Sequence, residues 1–91
     1  MWPDGKTYDG QWEKNKMHGY GTLIWKDGKR YDGYFINDKR EGTGKFMWKD
    51  GRVYDGNWKD GKQHGRGKFI TKEGVERVGE WDNGKKIRWL T

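Results

Sequence analysis

The stretch "YDGQW" begins at Tyr8, "YDGYF" at Tyr31 and "YDGNW" at Tyr54, a spacing of 23 residues each time. A fixed period of this length marks a repeat architecture, in which each unit buries its apolar face only against its neighbours. Aligned from Asp4 without gaps, the chain divides into units 4–26, 27–49 and 50–72 and a shortened unit 73–91 that reads as a cap. Residues 1–3, "MWP", align with "MWK" at 47–49 and read as the tail of a preceding unit. The whole of 1–91 is therefore expected to form one array.

Each unit carries the signals of two strands. "DG" at 4–5, 27–28 and 50–51 predicts tight hairpin turns, because glycine accepts the positive φ they require, and "EG" at 73–74 predicts a weaker version. A second turn is expected mid-unit, around Asn15–Met17, Asp38–Arg40, Gly61–Gln63 and Gly84–Lys86. Helical periodicity is missing, and glycine every few residues would penalise a helix. The predicted fold is all-β: a single-layer, elongated, curved antiparallel meander of 23-residue hairpins.

Strand alternation sorts the side chains onto two faces. One face collects Trp2, Tyr8, Trp12, Trp25, Tyr31, Phe35, Phe46, Trp48, Tyr54, Trp58, Phe69 and Trp81, which is 12 of the 15 aromatics. It also collects ten glycines, and the remaining six fall in turns. A strand glycine leaves a gap that a neighbouring ring covers, so "YDGxW" reads as ring, space, ring. The opposite face carries Asp9, Gln11, Thr22, Lys26 and their equivalents, with a thin stripe of Ile24, Met47 and Ile70.

Composition supports an ordered chain. Charged residues make up 37% and hydrophobic residues 30%, a balance that suits disorder, but seven Trp and sixteen Gly do not. The absence of cysteine excludes disulfides and thiolate metal sites. No apolar run has the length of a signal peptide or a membrane span, and the expectation is a soluble, cytoplasmic protein. The net charge of +6 is spread among Asp and Glu and forms no basic block.

"YDGQWEKNKMHGYGTLIWKDG" and "YDGNWKDGKQHGRGKFITKEG" resemble the MORN repeat (membrane occupation and recognition nexus), whose pattern runs Tyr-x-Gly-x-Trp-x-x-Gly-x-x-His-Gly-x-Gly. The resemblance implies a curved single-layer sheet with an aromatic groove on its concave side. Departures are Glu41 where His18 and His64 stand, Asn15 and Asp38 where Gly61 and Gly84 stand, and Arg77 at the tyrosine position. The last unit also loses His-Gly-x-Gly, and Trp89 and Leu90 are expected to fold over the terminal strand.

His18 and His64 share a repeat position two periods apart, too far for one metal ion, and read as turn residues bonding local backbone. Asp9, Asp32 and Asp55 read as solvated cross-strand partners of Lys and Arg. Neither a nucleophile-base-acid constellation nor a phosphate loop is present, so the expectation is a non-catalytic chain without cofactor or metal. Acidic residues on every strand oppose a nucleic-acid backbone.

The leading expectation is a scaffold that binds a helical or extended protein segment. The groove would be lined by Tyr8, Trp12, Trp25, Tyr31, Phe35, Phe46, Trp48, Tyr54, Trp58 and Phe69. The resemblance places such scaffolds at cytoskeletal or membrane-associated structures. The alternative is contact with anionic membrane lipid through a basic loop edge of Lys14, Lys16, Lys39, Arg40, Lys62, Lys85 and Lys86. The family also implies a regulatory module of a larger enzyme such as a lipid kinase or lysine methyltransferase. Self-association through the aromatic face or an open edge strand fits each reading.

Overall fold

A computed structural model describes residues 4–91; Trp2 and the 1–3 tail lie outside the described residues. Eight strands follow in chain order: β1 (Thr7–Glu13), β2 (Lys16–Ile24), β3 (Arg30–Ile36), β4 (Lys39–Met47), β5 (Val53–Lys59), β6 (Lys62–Ile70), β7 (Glu76–Asp82) and β8 (Lys85–Trp89). Each pairs antiparallel with the next, giving one open sheet of order β1 to β8. The principal extents are 40 × 23 × 17 Å, so the sheet is longer across its strands than along them.

Both kinds of turn occur in each unit, but only one of them is a two-residue turn. The two-residue turns are the mid-unit ones, at Lys14–Asn15, Asn37–Asp38, Asp60–Gly61 and Asn83–Gly84. Both residues of each have positive φ, from 50° to 87°, the geometry that matches strand twist. Met17, Arg40, Gln63 and Lys86 consequently lie in strands and not in turns. The Asp-Gly pairs instead close longer loops. Gly28 N–H donates to Trp25 O at 3.0 Å, Trp25 N–H to Lys29 O at 2.9 Å, and Lys29 N–H to Asp27 Oδ1 at 3.1 Å. In the loop after β6, Thr71 Oγ1 takes over the acceptor role from aspartate, receiving Val75 N–H at 3.1 Å.

Successive mid-unit turns are tied to one another. Asp38 N–H donates to Met17 O, Gly61 N–H to Arg40 O and Gly84 N–H to Gln63 O, at 2.8–3.0 Å. Asp38 Oδ1 in return accepts Met17 N–H at 2.7 Å. Each hairpin thus supplies backbone partners to the next, and these groups find no unsatisfied state at the sheet edge.

Across the middle of the sheet the glycines stand in one row. Gly10, Gly21, Gly33, Gly44, Gly56, Gly67 and Gly79 are each paired with the next across β1 to β7. The row ends at Trp89, which faces Gly79 from β8. A Cβ built on Gly33 would lie 2.5 Å from the Cα of Gly44 and 2.6 Å from the Tyr31 hydroxyl, so no other residue fits there.

Beside the glycine row the register slips. Between the pairs Gly10–Gly21 and Trp12–Met17, the single residue Gln11 faces His18, Gly19 and Tyr20. The same slip recurs at Tyr34 and Asn57. It leaves a carbonyl pointing out of the ladder, and a tyrosine three residues earlier meets it. Tyr8 Oη donates to Gln11 O at 2.7 Å, Tyr31 Oη to Tyr34 O at 3.0 Å and Tyr54 Oη to Asn57 O at 3.0 Å. The spacing Tyr-x-Gly-x follows from this: the ring lies over its own glycine and the next strand's, and the hydroxyl caps the bulge.

The rings then interlock from hairpin to hairpin. Within a unit Tyr8 meets Trp12, Tyr31 meets Phe35 and Tyr54 meets Trp58, edge to face at 4.9–5.2 Å. Between units Tyr8 meets Phe35, Tyr31 meets Trp58 and Tyr54 meets Trp81, at 4.9–5.5 Å. Each such pair contributes about 0.5–1.5 kcal/mol beyond area burial. The core is the buried part of this ladder, from Tyr31 and Phe35 to Trp81, together with Met17, Leu23 and Phe46, all on one face of one layer.

Candidate binding surface

The expected open groove is largely a filled core. Tyr31 and Tyr54 are 0% exposed, and Phe35, Phe46 and Trp58 are also buried. They pack against neighbouring rings, and the two tyrosines lie over glycine, so they cannot line a surface; parity put them on the right face but did not reveal that the face closes on itself. Trp58 is further held by its indole N–H, which donates to Gly44 O at 3.0 Å. Of the other predicted groove residues, Tyr8, Trp25, Trp48 and Phe69 are half-buried at the margin, and Trp12 is 53% exposed.

Clefts on this face include two beside its rings. One of about 270 Å³ lies at the β6–β8 end between Trp48, Phe69, Trp81 and Trp89, with Gln63 and Lys86 at its rim. The other, about 210 Å³, lies over β2 to β4 against Met17, Leu23, Trp25 and Phe35, with Lys6, Asp38, Lys39 and Arg40 also in its lining. Sequence reasoning did not place Gln63 or Lys86 here. The signal was available, since 17, 40, 63 and 86 are one repeat position and Met17 is apolar.

That position also corrects the basic edge. Lys14 is in a turn, and Lys16, Lys39, Lys62 and Lys85 open the even-numbered strands, all exposed. Arg40 and Lys86 are not on that edge. The Arg40 guanidinium lies over the Trp58 ring at 4.6 Å and the Phe46 ring at 5.4 Å, and donates to Gly61 O at 2.8 Å. The Lys86 ammonium lies 4.4 Å from the Trp89 ring. Burial pushes the Arg40 pKa below its ordinary value.

Other cations share this habit. Lys29 lies over Trp25 at 5.8 Å, Arg52 over Trp48 at 5.2 Å and Arg77 over Trp89 at 4.2 Å. Lys29 and Arg52 also pair with Asp27 and Asp50, at 3.4 and 2.9 Å. Backbone hydrogen bonds from Lys29 and Arg52 hold those two carboxyls below the usual range. Leu90 stays largely exposed, in contrast to Trp89, which folds against Trp81 at 6.0 Å.

On the opposite face Asp32 accepts from Thr22 and pairs with Arg30 at 3.0 Å. Burial alone would raise its pKa, but these partners outweigh it and the net shift is downward. Tyr20 and Tyr34, exposed on that face, meet edge to face at 5.4 Å. His18 and His64 lie in β2 and β6, not in turns, 3.5 Å from Glu13 and Asp82 respectively. Among the described residues no group of His, Asp and Glu is arranged to hold a metal ion.

Comparison with known proteins agrees with this architecture. The family model described as MORN repeat matches three times, over residues 8–30, 31–51 and 54–75. No curated protein matches the chain. The three matches cover most of the chain, and each includes one bulge-capping tyrosine, its glycines and the start of the next ladder step. The chain belongs to the MORN-repeat family.

Proposed function

We propose that the chain is a non-catalytic scaffold that docks a protein segment on its aromatic face. The observation that carries this reading is the apolar cleft between Trp48, Phe69, Trp81 and Trp89, a ring-walled space of about 270 Å³ on a face whose centre is filled by its own side chains. Aromatic-lined clefts are the usual anchoring points of interfaces. The reading shifts the docking point from the centre of the expected groove to its β6–β8 end.

The test is selection of binding peptides from a displayed library, followed by measurement on Trp48→Ala and Phe69→Ala. Both residues are at the margin of the core, and circular dichroism checks that the variants fold. Loss of affinity by tenfold or so is expected (about 1.4 kcal/mol). Peptides that bind both variants as well as the parent chain would remove the cleft from consideration.

A second reading, contact with an anionic lipid surface, is favoured by the recurrence of Lys16, Lys39, Lys62 and Lys85 as exposed first residues of successive even-numbered strands. Each contributes about 1 kcal/mol near anionic lipid. Sedimentation with anionic vesicles at physiological salt, lost when these four are changed to glutamate, is the expected result of that reading; no sedimentation of the parent chain sinks it.

A further inference from the structure

The charged groups that lie over rings of the aromatic face are all cations: Lys29, Arg40, Arg52, Arg77 and Lys86. Among the described residues no carboxylate occupies a strand position on that face; Asp27, Asp38 and Asp50 are in turns and bond backbone N–H groups, and Asp38 also lines the cleft beside Arg40, where Lys39 and Arg40 outnumber it. Lys29 and Arg52 are neutralised by Asp27 and Asp50. Arg40 and Lys86 have no carboxylate within ion-pair distance among the described residues.

Arg40 is the more informative of the two. A guanidinium withdrawn from water is costly unless paired. Stacking on Trp58 offsets part of that cost, and the bond to Gly61 O satisfies one donor. Most of its planar donor set remains for a ligand oxygen or water. Yet Met17 fills the same repeat position without any charge, and the fold therefore does not require a cation there. Each of the two ring-lined clefts has one of these two cations beside it: Arg40 at the cleft over β2 to β4, Lys86 at the cleft near β8. Both cations occupy one repeat position, two hairpins apart.

We infer that the partner segment is acidic as well as apolar: its apolar side chains enter the clefts and its carboxylates bond Arg40 and Lys86. The inference rests on the docking reading above and adds the chemistry of the partner. Arg is suited to bidentate carboxylate recognition, and Lys86 acts as a point charge.

The experiment uses two fluorescent peptides with the same Phe and Leu pattern, one with Glu and the other with Lys at every polar position, titrated with the 91-residue chain. The acidic peptide should bind at least about tenfold tighter, and the advantage should shrink as salt rises. Arg40→Met and Lys86→Gln place residues that already stand at that position, Met17 and Gln63, in the two clefts. Each should weaken the acidic peptide by several-fold to about tenfold, leave the melting temperature nearly unchanged and leave the basic peptide's affinity unchanged.

Equal affinity for both peptides, lowered equally by Trp48→Ala, would overturn this inference and leave the docking reading standing. If neither peptide binds, both fall. If Arg40→Met abolishes sedimentation with phosphatidylserine vesicles while the acidic peptide's affinity is unaffected, the anion is a lipid headgroup and the peptide inference is overturned.

Discussion

Hairpin β3–β4 and hairpin β7–β8 cover the same glycine row by different means. In the first, Tyr31 lies over Gly33 and Gly44, caps the Tyr34 carbonyl and touches both Phe35 and Trp58. In the second, Arg77 stands at the tyrosine position and Gly79 is covered by Trp81 and Trp89. Arg77 turns its guanidinium onto Trp89 and bonds the Thr91 carbonyl. The difference separates what the architecture requires from what it merely uses. A ring over glycine is required. A tyrosine is used where a further glycine strand follows, because its ring must lie flat across two backbones; the final strand brings its own tryptophan instead.

The largest break in that comparison is removal of the covering ring. Tyr31→Ala should cost about 3–5 kcal/mol, since a fully buried ring and its bulge cap are both lost. Arg77→Ala, an exposed residue, should cost about 1 kcal/mol or less. Urea unfolding of the two variants measures the gap, and similar losses would show that the end hairpin depends on Arg77 as the interior depends on tyrosine.

Filling the row is the next test. In Gly33→Ala the new methyl meets the Gly44 backbone at 2.5 Å, which cannot yield without parting the strands. In Gly79→Ala it meets ring atoms of Trp81 and Trp89 at 2.8–3.1 Å, and those rings can shift. The first should cost about 3 kcal/mol and the second about 1 kcal/mol. Equal midpoints in thermal unfolding would mean that the tryptophan cover is as rigid as the tyrosine one.

A smaller effect comes from the hydroxyls. Burial raises the pKa of Tyr31 and carries that of Tyr54 to about 12. A raised folded-state value means that the stabilisation is present below the unfolded value of about 10 and is lost as pH climbs through the folded value. Alkaline unfolding should therefore begin above about pH 10. Tyr54→Phe should cost about 1 kcal/mol at neutral pH, by stranding the Asn57 carbonyl, and should flatten the fall in stability above pH 10. Tyrosinate absorbance read with far-UV circular dichroism follows both.

The smallest expected change is Arg40→Met, within about 1 kcal/mol of the parent in either direction, because an apolar side chain of similar length replaces a half-buried charge. A large loss on urea unfolding would make Arg40 part of the interior machinery and not an addition to it.

Much of this was legible in the sequence. The 23-residue period, with its glycines and aromatics on one parity, is enough for an antiparallel meander with an aromatic face. Three things were not. The short turns at Lys14–Asn15 and Asn37–Asp38 hold positive φ without glycine, so the eye goes to the Asp-Gly pairs, which close longer loops held by an aspartate side chain. Met17 and Arg40 stand two residues after those turns and so read as loop residues, although the strand begins one residue before each. Alternation also assigns a side to Tyr31 and Phe35 without saying how closely the rings of the next hairpin pack on them, and that packing decides whether a ring faces solvent or another ring.

The row of glycines has a further consequence. It crosses the strands from β1 to β7 as a line with no side chain of its own, a gutter walled by the rings that lean over it. Four hairpins span 40 Å, close to the ~10 Å that two strand spacings give for each hairpin. Adding or deleting a hairpin thus changes the length of this gutter in fixed steps and leaves its cross-section alone. The protein is graduated like a ruler, with one aromatic interval per mark.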